Sequence, residues 1–315
     1  MINFRYHVVS LTAVFLALAI GLVVGTAALN GPLADSLNDR VNGLTKQNQQ
    51  LRDQVGQLQE DVAREEDFAA EAAPYMLGGS LAGRDVLVLD MPSADGKYGE
   101  GVVQMLATAG ARVAGRVQLK DRFTDPANSV LLLDLAHQVM PASVTTVPRN
   151  SDGAETSAAL LAAVLLDRAQ AVAAEDRRRV LSAYQQAGYL AEQAKVAVAA
   201  DAVVVVTGPP YVDRESARKN AAVVTAVVQF DEAGPVVLAG NGVAGEGNAL
   251  TEVREDPALN KTISTVDNVA TPQGRVVAVL ALVEQLRPAA PPDGVRAGHY
   301  GTEAGSSSLM PKRPE

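Results

Sequence analysis

Residues 8–29 carry no charge at all, and the next charge after Arg5 is Asp35. A helix of that length is about 33 Å long, enough to cross a hydrocarbon core of about 30 Å. A buried helix of a soluble domain and a cleaved signal peptide compete with this reading. Thr26, Ala27 and Ala28 are small enough for a cleavage site. The apolar run, however, exceeds the h-region of roughly 7–15 residues that signal peptides carry. The expectation is an uncleaved transmembrane signal anchor over residues 1–29. Arg5 lies before the span, with Asp35 and Arg40 behind it. That charge order puts the N-terminus in the cytoplasm and the rest of the chain outside the plasma membrane as a single-pass protein. Gly21 and Gly25 form a G-x-x-x-G on the span, a spacing that lets two membrane helices approach closely.

Behind the span lies a heptad repeat. Leu37, Leu44, Leu51 and Leu58 fall at d; Val41, Asn48, Val55 and Val62 fall at a. β-Branched residues at a with leucine at d favour a parallel two-stranded coil, and one Asn at a fixes its register. A single amphipathic helix packed on its own domain is the competing reading. Gly43 and Gly56 sit at outward positions, each costing roughly 1 kcal/mol of helix propensity. Asp61 (g) and Glu66 (e) repel across the seam, which ends the coil near Val62. The homodimer interface is therefore expected at the heptad residues together with Gly21 and Gly25. Asn30, Gly31 and Pro32 are expected to break the path between span and coil. Pro74 is expected to stop the helix, with Gly78 and Gly79 in a linker. The coil segment is residues 30–73 and the linker 74–83.

Residues 84–287 read as an α/β domain. Continuous apolar runs at 86–89, 130–133, 202–206 and 235–239 read as strands buried on both faces. Residues 113–119 and 263–266 read as further strands. Helical spacing appears over 99–109, 158–166, 176–187, 215–230 and 276–286. Strands alternating with helices imply a mainly parallel, Rossmann-like sheet covered on both sides. Residues 288–315 are rich in Pro, Gly and Ser and are expected to be disordered.

Chemistry is sparse. In such sheets ligands bind beyond the carboxyl ends of the strands. The residues expected there are Asp90, Asp134, Gly208, Gly240, Asn241 and Gly242. An Asp90–Asp134 pair could hold a metal or act as a base, and either Asp could equally be a turn residue or helix cap. The run from Gly240 to Asn248 lacks G-K-[ST], and no clear helix opens behind it. There is no Cys and no G-x-S-x-G; the three His are His7, His137 and His299, and the six Met form no M-x-x-M. No catalytic residues, metal site or cofactor are expected, and the protein is not expected to be an enzyme. Arg177, Arg178 and Arg179 read as the solvated face of a helix. A net charge of −9 argues against nucleic acid as a partner.

The opening MINFRYHVVSLTAVFLALAIGLVVGTAALNGPL resembles the N-terminus of the actinobacterial MctB family, the mycobacterial copper transport protein B family. RDVLVLD, VVVVTGPP and PVVLAGN extend the resemblance over most of the chain. It implies a role in copper export or tolerance at the cell envelope, and copper is implied in no other way. Members are also similar to a membrane-anchored coiled-coil division factor that acts with a partner protein to control peptidoglycan hydrolysis. A stalk of about 39 Å over residues 37–62 suits such a scaffold. The expected partners are therefore the membrane, a second copy of the chain, and an envelope or division protein.

Overall fold

A computed structural model describes residues 4–145, 147–148, 152–166, 172–287 and 297–312, the side chains of 28–34 excepted. The chain divides into two compact units, residues 1–65 and 66–315. Helix α1 (Phe4–Leu77) supplies the described part of the first and opens the second. Its backbone stays helical over residues 30–32, where a break was expected. Within it, Phe4–Ala27 is long and apolar enough to cross a membrane, and no part of the tested window is buried. A Cβ at Gly21 or Gly25 would meet nothing. The heptad leucines and valines are all uncovered, from 52% exposed at Val55 to 65% at Leu44.

Pro74 does not end α1. The helix runs to Leu77, because Ala73 and Leu77 are buried in an apolar cluster with Leu81. That burial holds the last turn against the hydrogen bond Pro74 cannot donate. Residues 78–83 are a packed turn rather than an open linker: Leu81 donates its amide to Ala109 O at 2.9 Å.

The second unit continues through β1 (Asp85–Asp90), α2 (Gly96–Thr108), β2 (Arg112–Leu119), α3 (Asp121–Thr124), α4 (Ser129–Val139), α5 (Gly153–Leu165) and α6 (Ala174–Gln186). It then runs β3 (Leu190–Ala194), β4 (Ala202–Val206), α7 (Ser216–Asp231), β5 (Val236–Ala239), α8 (Ala249–Glu255), β6 (Ser264–Val266), α9 (Pro272–Gln285) and β7 (His299–Tyr300). One sheet takes the order β3-β2-β1-β4-β5-β6-β7. All neighbours are parallel except β3, which lies antiparallel on β2. The strand side chains alternate between two cores, as a strand's period of two demands. Leu87, Leu89, Val203 and Val205 pack with residues of α4 to α8. Val86, Val88, Val204 and Val206 pack with α2, α9 and the end of α1. Each fully buried Val or Leu contributes roughly 1.5–3 kcal/mol, so both faces drive the fold.

The run 130–133 is not a strand. It opens α4, with Leu132 and Ala136 buried one turn apart and Val130 and Leu131 exposed. Four apolar residues cannot separate a strand from a helix by period, and leucine is a strong helix former. Nor is Arg177 solvated. It is buried, and its Nε donates to Val164 O at 2.8 Å.

The expected disorder at 288–315 is also corrected. Residues 288–296 and 313–315 lie outside the described residues, while 297–312 form a strap across the end of the sheet. The cause is a single buried carboxylate, Asp267. It accepts from Arg254 Nη2 at 3.0 Å, Thr302 N at 2.8 Å, Glu303 N at 3.3 Å and Ser306 Oγ at 2.8 Å. Arg254 also donates to Ala304 O and Tyr300 O, both at 3.1 Å. Its Nε donates to Thr265 Oγ1 at 2.9 Å, and that oxygen lies 2.9 Å from His299 Nδ1. With Arg254 already a donor there, the Thr265 hydroxyl gives its own proton to Nδ1. His299 Nε2 then donates to Asn260 O at 3.1 Å, which fixes a neutral tautomer.

Asp267→Ala leaves the buried Arg254 unpaired and is expected to cost about 3–5 kcal/mol. Hydrogen exchange should show lost amide protection at 299–306 with β1 and β4 still protected. Burial pushes His299 below its ordinary 6.5; the bond to Asn260 opposes this and Arg254 adds to it. The unfolded imidazole therefore takes up its proton first on acidification. The stability His299 confers is complete above 6.5 and falls as pH drops below it. Thermal melts of wild type and His299→Gln should diverge in pH dependence there, with the steeper acid loss in wild type.

Candidate functional site

The carboxyl edge of the parallel strands is where a ligand would be sought. Asp90 ends β1 and is 1% exposed. Its Oδ2 accepts from Arg116 Nε at 2.7 Å, and Arg116 Nη2 donates to Gly96 O at 2.6 Å. Glu100 lies 3.7 Å from the same guanidinium. Burial pushes the Asp90 carboxyl above its ordinary range, against the opposing pull of Arg116. Asp90 Oδ1 has no hydrogen-bond partner among the described residues. The group is an ion-pair member in the core, where β1 and β2 lie side by side. Asp134 sits on α4 with its side chain exposed. The strand end that would have brought the two carboxylates to one edge does not exist.

Gly208 follows β4. A Cβ there would overlap the backbone of Ser93, in the loop after β1. The two loops thus touch main chain to main chain and close the crevice between β1 and β4. Gly240, Asn241 and Gly242 follow β5. Gly240 N donates to Val266 O at 2.8 Å and Gly242 N to Asp267 O at 2.6 Å. Asn241 bridges to Asn268. The amides a phosphate would need are therefore bonded to the neighbouring strand exit. A helix does open behind this run, contrary to expectation. It is α8, capped by Asn248, whose Oδ1 accepts from Leu250 N at 3.0 Å.

Farther out on the same edge is a groove of about 620 Å³ between residues 211–212, α7 and residues 246–252. Buried Asn220 joins its walls. Its Oδ1 accepts from Tyr211 N at 2.8 Å, and its Nδ2 donates to Tyr211 O at 3.2 Å and Glu246 O at 3.3 Å. Gly247, at φ 74°, passes so close that a Cβ would sit 2.6 Å from Asn220 Nδ2. Tyr211 donates its hydroxyl to Asp121 Oδ1 at 2.9 Å, with Thr124 Oγ1 at 3.1 Å. Burial pushes that phenol up to about 12; the bond to Thr124 opposes the rise and Asp121 adds to it. Sequence reasoning passed over Asn220 and Tyr211. The available signal was one Asn on the apolar side of a helix that follows a G-P-P-Y turn.

No group of three or more His, Asp or Glu is placed to hold a metal ion among the described residues. His137 lies on α4 and His299 in the strap.

Residues 1–311 match the family described as "Copper transport outer membrane protein, MctB". The chain belongs to the MctB family. The MctB relative from Mycobacterium leprae, named Copper transporter MctB, is 30% identical over 320 residues, covering 98% of this chain and 99% of that protein. The proteins of the same name from Mycobacterium tuberculosis (H37Rv) and Mycobacterium bovis are 28% identical over 316 residues, with the same coverage. The MctB correspondence thus takes in the apolar helix, the heptads and the α/β unit alike. The described sheet is open, mainly parallel and covered by helices on both faces. A lipid-facing barrel is closed, antiparallel and apolar outward, so this sheet is not a membrane-spanning element.

Arg116→Ala is expected to destabilise the α/β unit by about 3–5 kcal/mol, because it strands a buried carboxylate. The loss should grow as pH rises through the already raised titration range of the paired Asp90 carboxyl. There Asp90 ionises beside Arg116 in the wild type, whereas in the variant burial alone acts and holds it protonated to higher pH. Urea melts across pH 3–7 check both the size and the slope.

Proposed function

We propose that this MctB-family chain is a single-pass envelope protein that supports copper export and tolerance as a parallel dimer. Its N-terminus lies in the cytoplasm and its α/β unit outside the plasma membrane. The observation that carries the reading is the end-to-end match, 98% of this chain against 99% of relatives named Copper transporter MctB. Phe4–Ala27, apolar and uncovered, supports the anchor. The seven uncovered heptad leucines and valines support the dimer. Exposed apolar side chains at a and d are satisfied by a second helix of the same pattern. Copper is cargo in this reading. One helix cannot enclose a path for it, so passage requires several copies or an associated exporter.

A second reading has its own support. No group of three or more His, Asp or Glu is placed to hold a metal ion among the described residues, while the uncovered stripe favours a protein partner. In this reading the dimer is an envelope scaffold acting with a partner in cell division and the control of peptidoglycan hydrolysis. Asp90, Gly208, Gly240, Asn241 and Gly242 then serve the fold rather than a ligand.

Deletion of the gene should raise cellular copper, measured by metal analysis; unchanged copper in the deletion strain removes the first reading. Leu44→Asn with Leu51→Asn should convert dimer to monomer in detergent light scattering and fail to complement the deletion. A variant that stays dimeric and active would show that the heptads are not the organiser. Recovery of division proteins without copper, from a pull-down of the full-length protein, would decide for the scaffold.

A further inference from the structure

The groove on α7 is built but unused by the fold. Its floor carries the exposed Ala217 and Ala221 with half-buried Val224, one face of α7 at helical spacing, and Ser216 and Thr225 line it beside them. Its lip is Val212, 93% exposed. Glu246 and Glu252 stand on the opposite rim, both exposed and making no ion pair among the described residues. Asn220 fixes both walls before anything binds, which lowers the ordering cost of association.

We infer that this groove docks a basic amphipathic helix of a partner protein. This deepens the view that the chain works with an envelope partner, and rests on it. Small floor residues let a second helix approach α7 at the near end of the usual 8–10 Å range. From Ala217 to Val224 the floor covers two helical turns, about 10 Å. Apolar residues of the incoming helix meet the alanines and Val212, while its Lys or Arg residues meet Glu246 and Glu252. A chain carrying a net −9 charge steers a basic partner towards that rim. A second copy docked symmetrically would set these carboxylates against themselves. A small ligand of this volume would need polar groups converging at the floor. Here Ser216 and Thr225 lie beside the alanines, Glu246 and Glu252 stand exposed at the rim, and the Asn220 amide is already bonded to backbone.

The test uses the full-length protein in its native host with a benzophenone side chain placed at Ala221 or, separately, at Leu44. Crosslinked peptides are sequenced by mass spectrometry. From position 221 the expected product is a segment of another protein with apolar residues at three- and four-residue spacing, flanked by Lys or Arg. Glu246→Lys with Glu252→Lys should cut its yield at least fivefold while leaving the melting temperature unchanged. An acidic or non-periodic segment, a segment of this same chain, or a yield indifferent to the charge reversal would overturn the inference. So would an empty position 221 beside a productive position 44. The Leu44 probe reports the coil alone. Failure there with the expected product at 221 refutes the dimer and leaves the docking site standing.

Discussion

A parallel sheet with apolar side chains on both faces can exist only where something covers both faces. β1, β4 and β5 carry Val, Leu and Ala at every interior position, and all of them are buried. The helices are arranged to meet that demand: α2, α9 and the end of α1 on one side, α4 to α8 on the other. The same demand explains why α1 outlasts Pro74. Val86 and Val88 need Ala73 and Leu77 more than the last turn needs its missing hydrogen bond.

Residues 1–65 obey the opposite rule. Their apolar side chains are organised just as strictly, by heptad and by uncharged span, yet face outward. Among the described residues nothing covers this surface. An uncharged span of this length matches a hydrocarbon core, and a heptad stripe matches a second helix, which is the physical basis of the proposed anchor and dimer. The candidate ligand edge of the sheet is closed by its own contacts, through Gly208 against Ser93 and Gly242 against Asp267.

The legible parts of the fold were those in which local pattern and tertiary burial agree. VLVL, AVVVV and VVLA read as buried strands because every residue is apolar and β-branched residues dominate or alternate. VLLLD looked the same, but only two residues of α4's inner face are buried, and no alternation was there to reveal it. β3 was invisible because LAEQA is a short edge strand interrupted by polar residues, with Glu192 half-buried and Gln193 exposed. At the ligand edge, Asp90, Gly208 and Gly240 were correctly located at strand ends, but their engagement with Arg116, Ser93 and Val266 is tertiary and leaves no trace in spacing. The strap was misread because its order comes from one distant carboxylate, not from its own composition.

The strap also has a consequence in time. Asp267 and Arg254 are made well before residues 299–306, yet their hydrogen bonds are completed only by those residues. A chain emerging N-terminus first would leave the remaining bonds of this pair unmade, and the β6 edge of its sheet open, until those residues followed. The β6 edge is thus the last part of the described sheet to be closed, and a chain interrupted before residue 299 would present it as an unpaired strand edge.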